Sequence, residues 1–61
     1  MTLIKEHDLI TLAVDLSDDL KRGTIGTIVH IYKERYIYEV EFIDTVEKSH
    51  VVTVHVTQIN V

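Results

Sequence analysis

Two glycines three apart, in the stretch Lys21-Arg22-Gly23-Thr24-Ile25-Gly26, are the first residues of this chain whose type and spacing could do chemistry. A G-x-x-G loop clamps a nucleic-acid backbone when helices flank it, and a glycine-rich loop cradles phosphate when it leads into a helix N-terminus. Here a β-rich run follows, Thr27-Ile28-Val29-His30-Ile31-Tyr32, and no Lys with Ser or Thr completes a P-loop. The spacing therefore points to backbone geometry, a turn with positive φ and a close approach of strands.

Four histidines, His7, His30, His50 and His55, raise the question of a zinc site. His50 and His55 stand five apart on an extended run and so point to opposite faces, and His7 lies in the N-terminal lead-in. A metal site would need oligomerisation to bring the rings together, and no metal site is expected; His50 is the one placed for partial burial. Glu39 and Glu41 share one strand face as paired acid–base carboxylates would. That work needs pKa values pushed apart in a cleft, and so small a domain offers a shallow groove at best. Tyr32, Tyr36 and Tyr38 could build a groove for proline-rich peptides, but the Trp and Pro such a groove relies on are absent, so core or edge packing is expected. These readings predict no catalytic residues, no cofactor, no metal and no small-molecule substrate.

The elements that would position these residues must fit in 61 residues, enough for one domain and one small core. There is no cysteine, which removes disulfides and thiolate chemistry and fits a reducing compartment. No apolar run approaches the roughly 20 residues of a membrane span, and the start lacks the pattern of a signal peptide, so a soluble cytoplasmic protein is expected. Six basic against ten acidic residues give a net charge of −4, which opposes phosphate backbones and favours basic partners.

The apolar excess is chiefly Val and Ile, whose stiff side chains favour sheet. Residues 1–7 read as a loose lead-in and 8–61 as a single domain. Strands are expected over Asp8–Val14, with Leu9 and then Ile10, Leu12 and Val14 as candidates for burial, Thr24–Tyr32, Tyr36–Ile43, Ser49–Val56 and Ile59–Val61. Asp15–Gly23 reads as a long surface loop anchored by Leu16 and Leu20.

In the third strand Tyr36, Tyr38, Val40 and Phe42 form the core face. A hairpin pairing Ile43 with Ser49 sets Val40 against Val52, Tyr38 against Val54 and Tyr36 against Val56. It also sets Glu41 beside Val51, Glu39 beside Thr53 and Ile37 beside His55 on the outer face. The second strand does not keep one apolar face, which calls for a bulge near Val29 and His30 or for cover on both faces. Thr57 is placed to cap a single turn, with Val56 and Ile59 packing inward. Together these predict an all-β fold, a small five-stranded SH3-like barrel with a long first loop and a one-turn 3-10 helix before the last strand. An OB-fold competes, but it needs a longer chain and a helix where only Asp44-Thr45-Val46-Glu47-Lys48 stands.

The order Asp8-Leu9, Leu12, Asp15, Gly23-x-x-Gly26-Thr27-Ile28-Val29, Tyr32, Tyr38-Glu39-Val40-Glu41-Phe42 and Val52-Thr53-Val54 resembles a family of small bacterial proteins, common in cyanobacteria and known only as a domain of unknown function. The likeness covers nearly the whole chain and implies an SH3-like barrel and a bacterial origin, with no reaction, cofactor or catalytic residue to carry over. KOW domains of ribosomal and transcription proteins are similar over Lys21 to Ile31, and this chain departs from them in being acidic.

Several apolar residues on neighbouring strands, Ile37, Ile43 and Val51, with Ile28 or Ile31 as further candidates, would make an outer patch that another protein covers. The expectation is a non-catalytic module that binds a protein, either a basic partner that it assists or inhibits or a second copy of itself. The residues that would carry it are Asp15, Asp18 and Asp19 in the loop and Ile37, Glu39, Glu41, Ile43 and Val51 on the sheet. The alternative is an RNA-binding module of KOW type using Lys5, Lys21, Arg22, Lys33 and Arg35.

Overall fold

A computed structural model describes residues 4–32, 34, 36–43 and 47–61. Five strands, β1 (Leu9–Leu12), β2 (Ile25–Ile31), β3 (Ile37–Ile43), β4 (Ser49–His55) and β5 (Ile59–Asn60), form one antiparallel sheet in the order β4-β3-β2-β1-β5. The sheet curls into a half-barrel, and a 3-10 turn, Val56–Gln58, leads into the last strand. The all-β class, the strand number, the long first loop and the single turn before β5 are thus as the residue pattern predicts. No helix among the described residues is long and apolar enough to cross a membrane.

The inner face holds the core. Ile10, Leu12, Leu20, Ile28, Tyr38, Val40, Phe42, Val54 and Ile59 are buried, and Ile4, Leu16, Ile31, Val52 and Val56 pack against them. Each fully buried aliphatic or aromatic side chain contributes about 1.5–3 kcal/mol relative to exposure, so a few positions carry much of the stability of so short a chain.

The β3–β4 hairpin has the expected register throughout, from Ile43 opposite Ser49 to Ile37 opposite His55, and the Val56 N–H donates to the Tyr36 carbonyl at 2.8 Å. In β2 the register with β3 shifts between Ile28 and His30, so Val29 is the extra residue of a bulge. That bulge resolves the mixed pattern of the strand: Ile28 points into the core before it and Ile31 packs on the core after it.

Each glycine meets a different need. Gly23 has φ +91°, and its N–H donates to the Leu12 carbonyl at 2.8 Å as the long loop returns to the sheet. Gly26 has ordinary strand geometry and lies buried beneath Phe42 and Val40.

Several expectations are corrected. Leu9 is exposed and Ile10 and Leu12 are the core residues of β1, because alternation lets one set only face inward. Val14 lies beyond the strand, in the open. Tyr36 is exposed at the end of the sheet, its ring centroid 5.7 Å from that of His55, rather than in the core. Ile28 and Ile31 do not belong to the outer face. Residues 4–7 are tied down rather than loose: Ile4 packs on the core, the Lys5 N–H donates to Asp8 Oδ2 and the His7 N–H donates to the Ile28 carbonyl at 2.6 Å.

The 3-10 turn is capped by His55, not Thr57. His55 Nδ1 accepts from the Thr57 N–H at 3.2 Å, and Gln58 Oε1 accepts from the His55 N–H at 2.8 Å, a reciprocal capping box.

Candidate functional site

Strand alternation sends Leu9 and Thr11 of β1, Ile25 and Thr27 of β2, Glu39, Glu41 and Ile43 of β3, and Ser49, Val51 and Thr53 of β4 to the outer face. The register then sorts them into two ends. At one end, Thr11 opposes Ile25, continuing the β2–β3 register by one step sets Ile25 beside Ile43, and Ile43 opposes Ser49. In the next row Leu9 opposes Thr27, Thr27 opposes Glu41 and Glu41 opposes Val51. Leu9, Ile25, Ile43 and Val51 are 68%, 62%, 62% and 58% exposed, so neighbouring strands present an apolar patch to solvent.

The other end is polar and aromatic. The Tyr32 hydroxyl donates to Glu39 Oε1 at 2.7 Å and the Thr53 hydroxyl donates to the same oxygen at 2.5 Å. These two hydrogen bonds, Thr53 first and Tyr32 second, hold the Glu39 carboxyl below the usual glutamate range, with His30 adding a smaller pull. Tyr32 is pushed up, chiefly because Glu39 holds its proton. His30 stands edge-on to Tyr32, ring centroids 4.8 Å apart, and its Nδ1 lies 3.9 Å from Glu6 Oε2 on the open surface.

The structure brings Ile43, Val51 and Glu41 together and leaves Ile37 at the far, aromatic end, six residues along β3 or roughly 20 Å away. Ile37 is half-buried there opposite His55. Leu9 and Ile25 complete the patch in its place. Alternation carried the signal for both: Ile25 precedes an inward Gly26, and Leu9 precedes an inward Ile10.

In the long loop, Asp18 and Asp19 are exposed, while Asp15 Oδ1 accepts from the Arg22 N–H at 2.8 Å and helps close the loop. Ser17 and Leu20 bond to each other's backbone, and Leu20 plugs into the core. The loop leaves β1 after Leu12 and enters β2 before Ile25, so it emerges at the same end of the sheet as the apolar patch, with Leu16 and Leu20 turned to the core.

His50 is half-buried opposite Phe42 on the inner face and His55 is on the outer one. Among the described residues no three His, Asp or Glu side chains gather as metal ligands. Lys5, Lys21 and Arg22 are exposed, and Lys33 and Arg35 lie outside the described residues, as does most of the connection from Asp44 to Lys48.

Fold and site together define a small all-β domain whose half-barrel keeps its core on one face and its chemistry-bearing side chains on the other. The chain belongs to the family described as Domain of unknown function (DUF4926), which matches residues 6–61. No curated protein and no solved structure matches it.

Proposed function

We propose that this domain is a non-catalytic, protein-binding module of SH3-like type, acting in the bacterial cytoplasm, and that its binding surface is the outer face of the sheet. The observation that carries the reading is the exposure of Ile25 and Ile43 side by side, with Leu9 and Val51 in the adjoining row. A patch of this kind loses apolar surface to water only when a second molecule covers it.

The partner that suits the face is basic. Net charge is −4, Asp18 and Asp19 stand exposed on the loop at the apolar end, and Glu39 at the other end keeps its charge while Oε1 already accepts two hydroxyl donors. A segment with an apolar side chain over Ile25 and Ile43 and an Arg or Lys reaching Glu39 would match both ends.

The test is capture of proteins from the native host on immobilised wild type, on Ile43→Lys and on Asp18→Asn/Asp19→Asn. The expected result is a basic protein held by wild type, lost with Ile43→Lys and bound more weakly, with a shallower salt dependence, by the loop variant. A captured protein indifferent to both variants would overturn the assignment of the surface. RNA binding of KOW type rests on the exposed Lys5, Lys21 and Arg22, and it requires an affinity for total RNA that falls steeply with salt.

A further inference from the structure

The β4 edge of the sheet carries an inference separate from partner binding on the outer face. In an antiparallel ladder, successive residues of an edge strand turn their N–H and C=O groups alternately toward the neighbour and away from it. The bond from the Val56 N–H to the Tyr36 carbonyl fixes the phase: His50, Val52 and Val54 bond to β3, and Ser49, Val51 and Thr53 point their backbone groups to the open side. His55 agrees with this phase, since its outward N–H goes to Gln58 Oε1. Among the described residues, nothing pairs with the outward backbone groups of Ser49, Val51 and Thr53.

Proteins usually blunt such an edge with brevity, charge, proline or a bulge. The opposite edge, β5, is two residues long, whereas β4 runs for seven with the sequence Ser-His-Val-Val-Thr-Val-His, no Asp, Glu, Lys or Arg, no proline and an unbroken register. In a chain of net charge −4 that is a long, β-branched strand left without a guard.

We infer that β4 pairs antiparallel with β4 of a second copy, about a two-fold axis at Val51. This register sets Val51 opposite Val51 of the second copy and Ser49 opposite its Thr53, and by symmetry Thr53 opposite its Ser49. All three outward-facing residues of each copy are used, giving roughly six backbone hydrogen bonds. The centre of the contact carries no charge for two acidic molecules to repel, since β4 holds no Asp, Glu, Lys or Arg. The side chains of Ser49, Val51 and Thr53 stay on the outer face, and the two sheets continue into one.

Sedimentation equilibrium over a wide range of concentration tests this on the full chain. Wild type should reach the dimer mass. Val51→Pro, which removes an outward N–H and no bond to β3, should stay monomeric with an unchanged far-ultraviolet circular dichroism spectrum. Ile43→Lys, on the outer face, should dimerise like wild type. Should Val51→Pro fail to fold, hydrogen exchange on wild type decides: the amides of Ser49, Val51 and Thr53 should gain at least about tenfold protection between dilute and concentrated samples. A monomer at every concentration, dimerisation that survives Val51→Pro, dimerisation lost with Ile43→Lys, or outward amides that exchange at the same rate throughout would each overturn the pairing.

Discussion

Gly26 of β2 sits directly across from Phe42 of β3, and the phenyl ring fills the space a side chain on Gly26 would need. A Cβ built on Gly26 would lie 2.6 Å from Phe42 Cε1 and 2.6 Å from Val40 Cγ1. Phe42 and Val40 are both fully buried, so neither can yield toward solvent.

Gly26→Ala should therefore destabilise the fold by about 1–3 kcal/mol through overpacking, and Gly26→Val by more. Urea unfolding checks this, and Phe42→Leu in the Gly26→Ala background should recover part of the loss. Gly23 behaves differently. A Cβ there meets nothing within 4 Å, and the cost comes from φ +91° alone. Gly23→Asn should be milder than Gly23→Val, because Asn tolerates the left-handed region and a β-branched residue does not.

His55→Ala should cost about 1 kcal/mol by stripping the cap from the Val56–Gln58 turn, while His55→Asn or His55→Asp should keep most of it. Since Nδ1 accepts the Thr57 N–H, the neutral ring carries its hydrogen on Nε2. Nitrogen NMR of the imidazole should report that tautomer.

Glu39 and Tyr32 give stability a dependence on pH at both extremes. The Glu39 carboxyl lies below the ordinary value of 4.5, so the folded protein releases this proton more readily than the unfolded chain. Its contribution is complete above the ordinary value and disappears as pH falls through the lower, folded value. Tyr32 lies above its ordinary 10.0, so its contribution is complete below that value and disappears as pH rises through the higher, folded one. Thermal melts against pH should show a flatter acid limb for Glu39→Gln and a flatter alkaline limb for Tyr32→Phe. Curves parallel to wild type would show that the Tyr32–Glu39–Thr53 cluster contributes nothing to folding.

Ile25→Lys and Ile43→Lys should change stability by no more than about 0.5 kcal/mol, since both side chains already stand in water. Ile28→Ala, three residues along the same strand from Ile25, should cost about 2–5 kcal/mol because Ile28 is fully buried. Denaturant midpoints of the three variants separate the face that folds the protein from the face that stands in water.

Much of this architecture was legible in the residue order. Period-two alternation in Tyr38-Glu39-Val40-Glu41-Phe42 assigned inner and outer faces, and matching Val40, Tyr38 and Ile43 against Val52, Val54 and Ser49 fixed the hairpin register, because a slip by one would turn every apolar side chain outward. The broken pattern of β2 called for a bulge or for cover on both faces, and a bulge occurs at Val29. The outer site was less legible. Ile37 and Ile43 share a face by period, yet the patch forms around Ile43 with Ile25 and Leu9, which enter from strands distant in sequence.

By itself, then, the sequence determined what is local: β-branched strands, a turn that needs Gly23, and which alternate residues of β3 and β4 face inward. Tertiary structure decided what depends on neighbours. The curl of the sheet lays Phe42 over Gly26, the bulge leaves Val29 as the extra residue and so brings Ile31 to the core side, and the order β4-β3-β2-β1-β5 leaves β4 as an edge. Periodicity says only that a side chain points to one face or the other. Whether that face is core, open surface or edge is set by which strands lie beside it, and long-range pairing alone supplies that.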